Sequence, residues 1–184
     1  MAKFTNLDKA KAKLLSKSPF FATLLFGTPL IENPGIPTAA TDGKRIMYNP
    51  EFIGSLSVGL VQFVLAHEIG HMIYEHVPRR QSRNPRLWNI AGDYVINGLL
   101  RDDGFEIWEH ALVDKKYDGM STEQAEAAIR SPSPWALYQA NLYRAAGSAN
   151  PGRMTGSRLS CSGEVNSRTR SCSLFLKNCT LSGG

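Results

Sequence analysis

The chain has no stretch approaching the ~18 consecutive apolar residues that a membrane-spanning helix requires, so a helical membrane protein is not expected. The nearest thing to an export signal is the lysine-rich start followed by PFFATLLFGTPLI. Its apolar run is interrupted by Thr23, Gly27 and Pro29, and its basic region is unusually long. A cytoplasmic location is therefore expected. Cysteine is scarce: Cys161, Cys172 and Cys179 lie near the end, odd in number and with no C-x-x-C spacing. That pattern supports neither a disulfide framework nor a zinc knuckle. Acidic residues are nearly absent from both ends. Residues 1–17 carry five Lys against Asp8 and residues 148–184 carry four Arg and Lys177 against Glu164, so the formal +5 leaves the middle at −3. The basic balance belongs to the ends, so it does not imply a nucleic-acid-binding core.

What is present is enough for one folded domain: 184 residues, 42% of them hydrophobic. Phe4, Leu7, Ala10, Leu14 and Leu15 recur at helical spacing, so residues 1–17 read as an amphipathic helix docked on that domain. A Pro- and Gly-rich stretch follows, with Asp42-Gly43 between PTAA and RIMYN predicting a tight type I′ hairpin. Asn49-Pro50 opens a short helix. LSVGLVQFVLAHEIGHMIYEHV predicts a long helix ending by Pro78, and LWNIAGDYVINGLL a second one after the basic loop PRRQSRNPR. Gly119 marks a turn, Ser121-Thr122-Glu123 begins another helix, and WALYQANLYRAA reads as a last one. The domain is expected to span residues 1–147. Residues 148–184 have one acid and no sustained period, and read as a disordered Ser/Arg/Cys-rich tail such as truncation or a changed reading frame would leave.

Within the long helix, HEIGH places His67 and His71 four residues apart on one face, within reach of one ion. Glu68 would sit beside that ion, placed to take a proton from a zinc-activated water. Leu60, Val61, Phe63, Val64, Leu65, Ile69, Met72 and Ile73 surround the motif, so these polar side chains are expected in an apolar setting that demands partners. A metal supplies them; a hydrogen-bonded solvent stripe is the other reading. A catalytic zinc takes a third protein ligand. His76 points about 140° from His71 on a continuing helix, so its expected place is the helix's carbonyl end. On the next helix Asn89, Asp93 and Asn97 form one polar stripe, facing either solvent or a site. Asp93 is placed to be the third ligand and Asn97 to orient an imidazole from behind it. Asn89 is expected to be exposed.

The motifs TDGKRIMYNPEF, LAHEIGHMIYEHVPRR, LWNIAGDYVINGLL and YDGMSTEQA stand in this order within about residues 20–145. Together they resemble bacterial and phage metallopeptidases often joined to a von Willebrand factor A-like domain. The resemblance implies an α+β, zincin-like fold, mostly helical, with a small sheet or hairpin packed on the HExxH helix. It implies one Zn2+ held by His67, His71 and an acidic ligand matched by Asp93, a protein or peptide substrate, and a VWA-type or AAA-ATPase partner. The wider gluzincin pattern, an acidic ligand followed four residues later by a carboxylate, is also similar. Here Asp replaces the usual Glu and Asn97 the second carboxylate. A shorter Asp requires closer helices, which Gly92 and Gly98 would permit.

The function expected is zinc-dependent hydrolysis of peptide bonds with Glu68 as general base. The alternative is a catalytically inactive, metal-stabilised protein-binding module. Tyr94, Tyr117 and His110 are considered as oxyanion stabilisers, each better explained by packing or surface exposure.

Overall fold

The structure, a computed structural model, describes residues 5–131 and the backbone of residues 172–173. Helix α1 (Asn6–Lys17) starts at Thr5, whose hydroxyl accepts from the Asp8 amide while the Asp8 carboxylate accepts from the Thr5 amide. This reciprocal pairing satisfies two donors that the helix cannot. Its Ala10 and Leu14 are fully buried. The segment weighed as an export signal forms α2 (Pro19–Phe26), with Pro19 in its first turn and Phe21, Ala22 and Leu25 facing the core.

Three short strands follow: β1 (Leu30–Glu32), β2 (Ala39–Thr41) and β3 (Ile46–Tyr48). β3 lies parallel to β1 and antiparallel to β2. The hairpin is at the expected place, but it is not a two-residue type I′ turn. The loop spans residues 42–45, and of its residues only Gly43 has positive φ, 87°. The Asp42 carboxylate accepts from the amides of Lys44 and Arg45, and the Thr41 hydroxyl donates to the Arg45 carbonyl. Local side-chain acceptors thus close a longer loop that needs one left-handed residue instead of two. β4 (Cys172–Ser173) pairs antiparallel with the other edge of β2, giving the order β1-β3-β2-β4. The rest of residues 148–184 and the segment WALYQANLYRAA lie outside the described residues.

Asn49 caps α3 (Pro50–Ser55) through its carbonyl oxygen, and Ser57 caps α4 (Val58–Ile73). Every residue of α4 from Val61 to His71 is buried. A helix apolar on nearly all sides has to be wrapped, and α1, α2, β2 and α6 (Pro85–Asp102) do the wrapping. Burying Phe63 or Leu65 contributes about 1.5–3 kcal/mol each, so α4 is the centre of the main core.

Helix α4 stops earlier than expected. It ends at Ile73, and Glu75 adopts a left-handed conformation, φ 52°, before α5 (His76–Arg79), which contains Pro78. Pro78 belongs to the first turn of a new helix, where its missing amide costs nothing. Helix α6 is capped by Asn84 and carries Pro85 in its first turn. After a left-handed Gly119, α7 (Thr122–Arg130) starts on a Ser121–Gln124 capping box and packs on α6. The architecture is mostly helical with a small sheet, an α+β arrangement. Among the described residues no helix is long and apolar enough to cross a membrane.

Candidate metal centre

Two helices bring the candidate ligands together. α4 supplies His67 and His71, one turn apart, and α6 supplies Asp93; their ligand atoms all lie within 4.8 Å of one another. All three are buried, His67 completely. The two Nε2 atoms are 2.9 Å apart, and Asp93 Oδ1 is 3.4 Å from that of His67 and 3.2 Å from that of His71. The close crossing of α4 and α6 that this requires occurs at Gly70. A Cβ there would come 2.8 Å from Ile96 Cγ2. Gly92 and Gly98, expected to permit the approach, face elsewhere: Gly92 toward the His76 ring and Gly98 toward the Asp118 carboxylate.

The far nitrogen of each imidazole is also engaged. His67 Nδ1 is 2.7 Å from Asn97 Oδ1, while Asn97 Nδ2 donates to the Leu112 carbonyl at 3.0 Å. That second bond fixes which end of the amide is oxygen, so His67 Nδ1 carries a proton and Nε2 is the nitrogen that a cation would take. His71 Nδ1 is 2.8 Å from His76 Nδ1, and His76 Nε2 is 2.7 Å from Thr122 Oγ1. Asn89 is buried, not exposed as expected, and donates to Asp93 Oδ2 at 3.2 Å. The stripe Asn89, Asp93, Asn97 therefore faces the interior.

The electrostatics match this crowding. Burial pulls the His67 pKa down, but hydrogen bonding and charge from Asp93 outweigh it and hold the group above its ordinary value. Burial lowers His71. For Asp93 burial raises the pKa, and the two histidines more than reverse that, leaving it low. Asp93 is thus an anion facing two imidazoles that share a positive charge at most. Glu68 is fully buried, and burial raises its carboxyl to about 8 despite the opposing charge of His67. Neither of its oxygens has a well-formed hydrogen bond among the described residues; the Thr41 amide of β2 only tempers the shift.

These residues fit a divalent cation. Asp93 Oδ1 makes no hydrogen bond of good geometry, although it lies buried against two imidazole nitrogens. Two imidazole nitrogens and one carboxylate oxygen converging from rigid helices are the donor set of a site that keeps one position open.

His76 does not lie where the sequence reading places it. Instead of reaching the helix's carbonyl end, it turns back and is buried behind His71. Its signal was Pro78, which marks the first turn of a new helix as readily as the end of an old one. Of the residues considered for an oxyanion, Tyr94 and Tyr117 pack on each other at 4.4 Å, and His110 is exposed beside Trp108 and Glu109.

No solved structure matches the chain. A protein of Thermotoga maritima, named "Uncharacterized protein", is 31% identical over 147 residues, covering 75% of this chain. The chain spans about a third of that relative's length, 36%. A family model described as "Putative metallopeptidase domain" matches residues 2–174. With a match over nearly its whole length, and a His-His-Asp cluster suited to a metal within it, this chain belongs to that family of metallopeptidase domains.

Proposed function

We propose that this domain is a zincin-like, zinc-dependent peptidase in which His67, His71 and Asp93 hold one zinc ion and Glu68 is the general base. The supporting observation is the convergence of His67 Nε2, His71 Nε2 and Asp93 Oδ1 next to a buried carboxylate that has no well-formed hydrogen bond. Zinc in such a site lowers the pKa of water to about 7 and polarises a carbonyl. Glu68 takes one proton from the attacking water as its oxygen bonds to the peptide carbon. It returns that proton to the nitrogen as the C–N bond breaks, and the water's second proton passes from the new carboxyl group to the amine, leaving a carboxylate and an ammonium group. Burial raises the Glu68 carboxyl to about 8 without metal; a bound cation beside it would draw it back toward the carboxylate that a general base must be.

Asn97 would orient the His67 ring from behind. The substrate would add as an antiparallel strand along the edge of β2 beside α4, the edge where β2 pairs with Cys172–Ser173. Because that edge already has a strand on it, a second reading is a metal-stabilised module that binds protein strands without cutting them. A VWA-type or AAA-ATPase partner, implied by the resemblance, is part of the leading proposal.

The test is cleavage of an unfolded-protein or peptide library by the zinc-loaded chain, with Glu68→Gln as control. Cleavage by the wild type that is lost in a variant retaining its zinc supports the peptidase. Library peptides bound by both proteins and cut by neither would favour the binding module.

A further inference from the structure

We propose that His76 is a positioning residue for the metal centre: with Thr122 behind it, it holds His71 in the tautomer whose Nε2 is free for the cation. The inference rests on the reading of His67, His71 and Asp93 as metal ligands. It adds a third histidine and a threonine on a separate helix, neither of which is needed to complete the donor set.

For His71 Nε2 to offer a lone pair, its Nδ1 must carry the proton and donate it. The atom facing it at 2.8 Å is His76 Nδ1, which must then be the acceptor. A neutral His76 accepting at Nδ1 carries its own proton on Nε2, and that atom is 2.7 Å from Thr122 Oγ1, an acceptor. One proton per link satisfies the whole relay, and the relay ends in a free His71 Nε2. It parallels the Asn97 carbonyl, which sets the tautomer of His67 at 2.7 Å.

The surroundings are shaped for this ring. Glu75 takes a left-handed conformation, φ 52°, that side chains rarely adopt, and thereby reverses the chain so that His76 returns toward α4. Gly92 leaves the space: a Cβ there would lie 2.6 Å from His76 Cε1. Trp88 Nε1 donates to the His76 carbonyl at 2.8 Å and anchors its backbone. Simple packing would require only an aromatic ring here, yet both nitrogens, buried with 1% of the residue exposed, meet polar partners.

The probe is Co2+, titrated into metal-free full chain and followed by its visible absorption, with 15N chemical shifts reporting the His71 tautomer. His76→Phe keeps a ring and removes the acceptor. It is expected to weaken cobalt binding ~10- to 100-fold while the saturated spectrum keeps its band positions. His76→Gln, which restores an acceptor, is expected to recover part of that loss. Thr122→Val, nearly isosteric and tolerant of burial, is expected to weaken binding several-fold and to mix the His71 tautomers; it carries the test if His76→Phe does not fold. Wild-type affinity and an unchanged His71 tautomer in a folded variant would overturn the proposal. A saturated spectrum showing one nitrogen ligand fewer in His76→Phe would also overturn it, by making His76 a direct ligand. If wild-type chain binds no cobalt, the metal reading itself fails and this inference with it.

Discussion

Ile96 of α6 lies against Gly70 of α4 so closely that a Cβ on Gly70 would sit 2.8 Å from Ile96 Cγ2 and 3.2 Å from Cγ1. This contact lets the two helices cross near enough for an aspartate, one methylene shorter than glutamate, to reach the two histidines. Gly70→Ala is expected to destabilise the fold by about 1–3 kcal/mol through overpacking and to weaken metal binding by moving Asp93 away. Pairing it with Ile96→Val should restore part of both. Denaturant unfolding and a metal titration of the three variants check this.

Asn97 performs two tasks that substitution separates. Its carbonyl oxygen accepts from His67 Nδ1, and its amide nitrogen donates to the Leu112 carbonyl. Asn97→Ala loses both, and metal affinity is expected to fall ~10- to 100-fold. Asn97→Asp keeps the acceptor and loses the donor, so it should hold metal as well as the wild type while losing about 1–3 kcal/mol of stability. Equal metal loss in both variants would contradict the assignment.

Without metal, Glu68 makes stability depend on pH. Its carboxyl is raised by burial from 4.5 to about 8, so between those values the folded chain keeps a proton that the unfolded chain has released. Stability therefore falls as pH rises across this window. Glu68→Gln carries no such proton, and the Tm of the metal-free variant should gain on that of the wild type from about pH 4.5 to about 8. A constant difference across that range would mean that Glu68 is not buried as described.

His76 acts in the opposite sense. Burial, aided by His71, holds its pKa down from 6.5 to about 2, so the unfolded chain takes up a proton that the folded chain refuses. The metal-free protein should lose stability as pH falls below about 6.5, and His76→Gln should flatten that limb of the Tm profile.

Much of the candidate site was legible in the sequence because its parts sit at helical spacings. His67 and His71 are one turn apart, and Asp93 and Asn97 share a stripe on a helix that is apolar elsewhere. Caps were legible for the same local reason: Asn49 before Pro50 and Ser121 before α7 act within one turn. What escaped was set by tertiary contact. The break at Glu75 leaves no glycine to announce it, and it depends on Trp88 and the space at Gly92, both on another helix. Which glycine permits the α4–α6 crossing likewise depends on a partner side chain, Ile96, that no periodicity identifies. In the hairpin, Asp-Gly correctly marked the reversal, but the hydrogen bonds of Asp42 and Thr41 decided its length.

The proposed assignment makes His67, His71 and Asp93 the metal ligands and places His76 behind His71. Zinc content per chain, measured on wild type, His67→Ala, Asp93→Ala and His76→Ala purified without chelator, tests it most directly. One zinc is expected in the wild type, one in His76→Ala held more weakly, and none in His67→Ala or Asp93→Ala. Stoichiometric zinc in Asp93→Ala together with its loss from His76→Ala would contradict it.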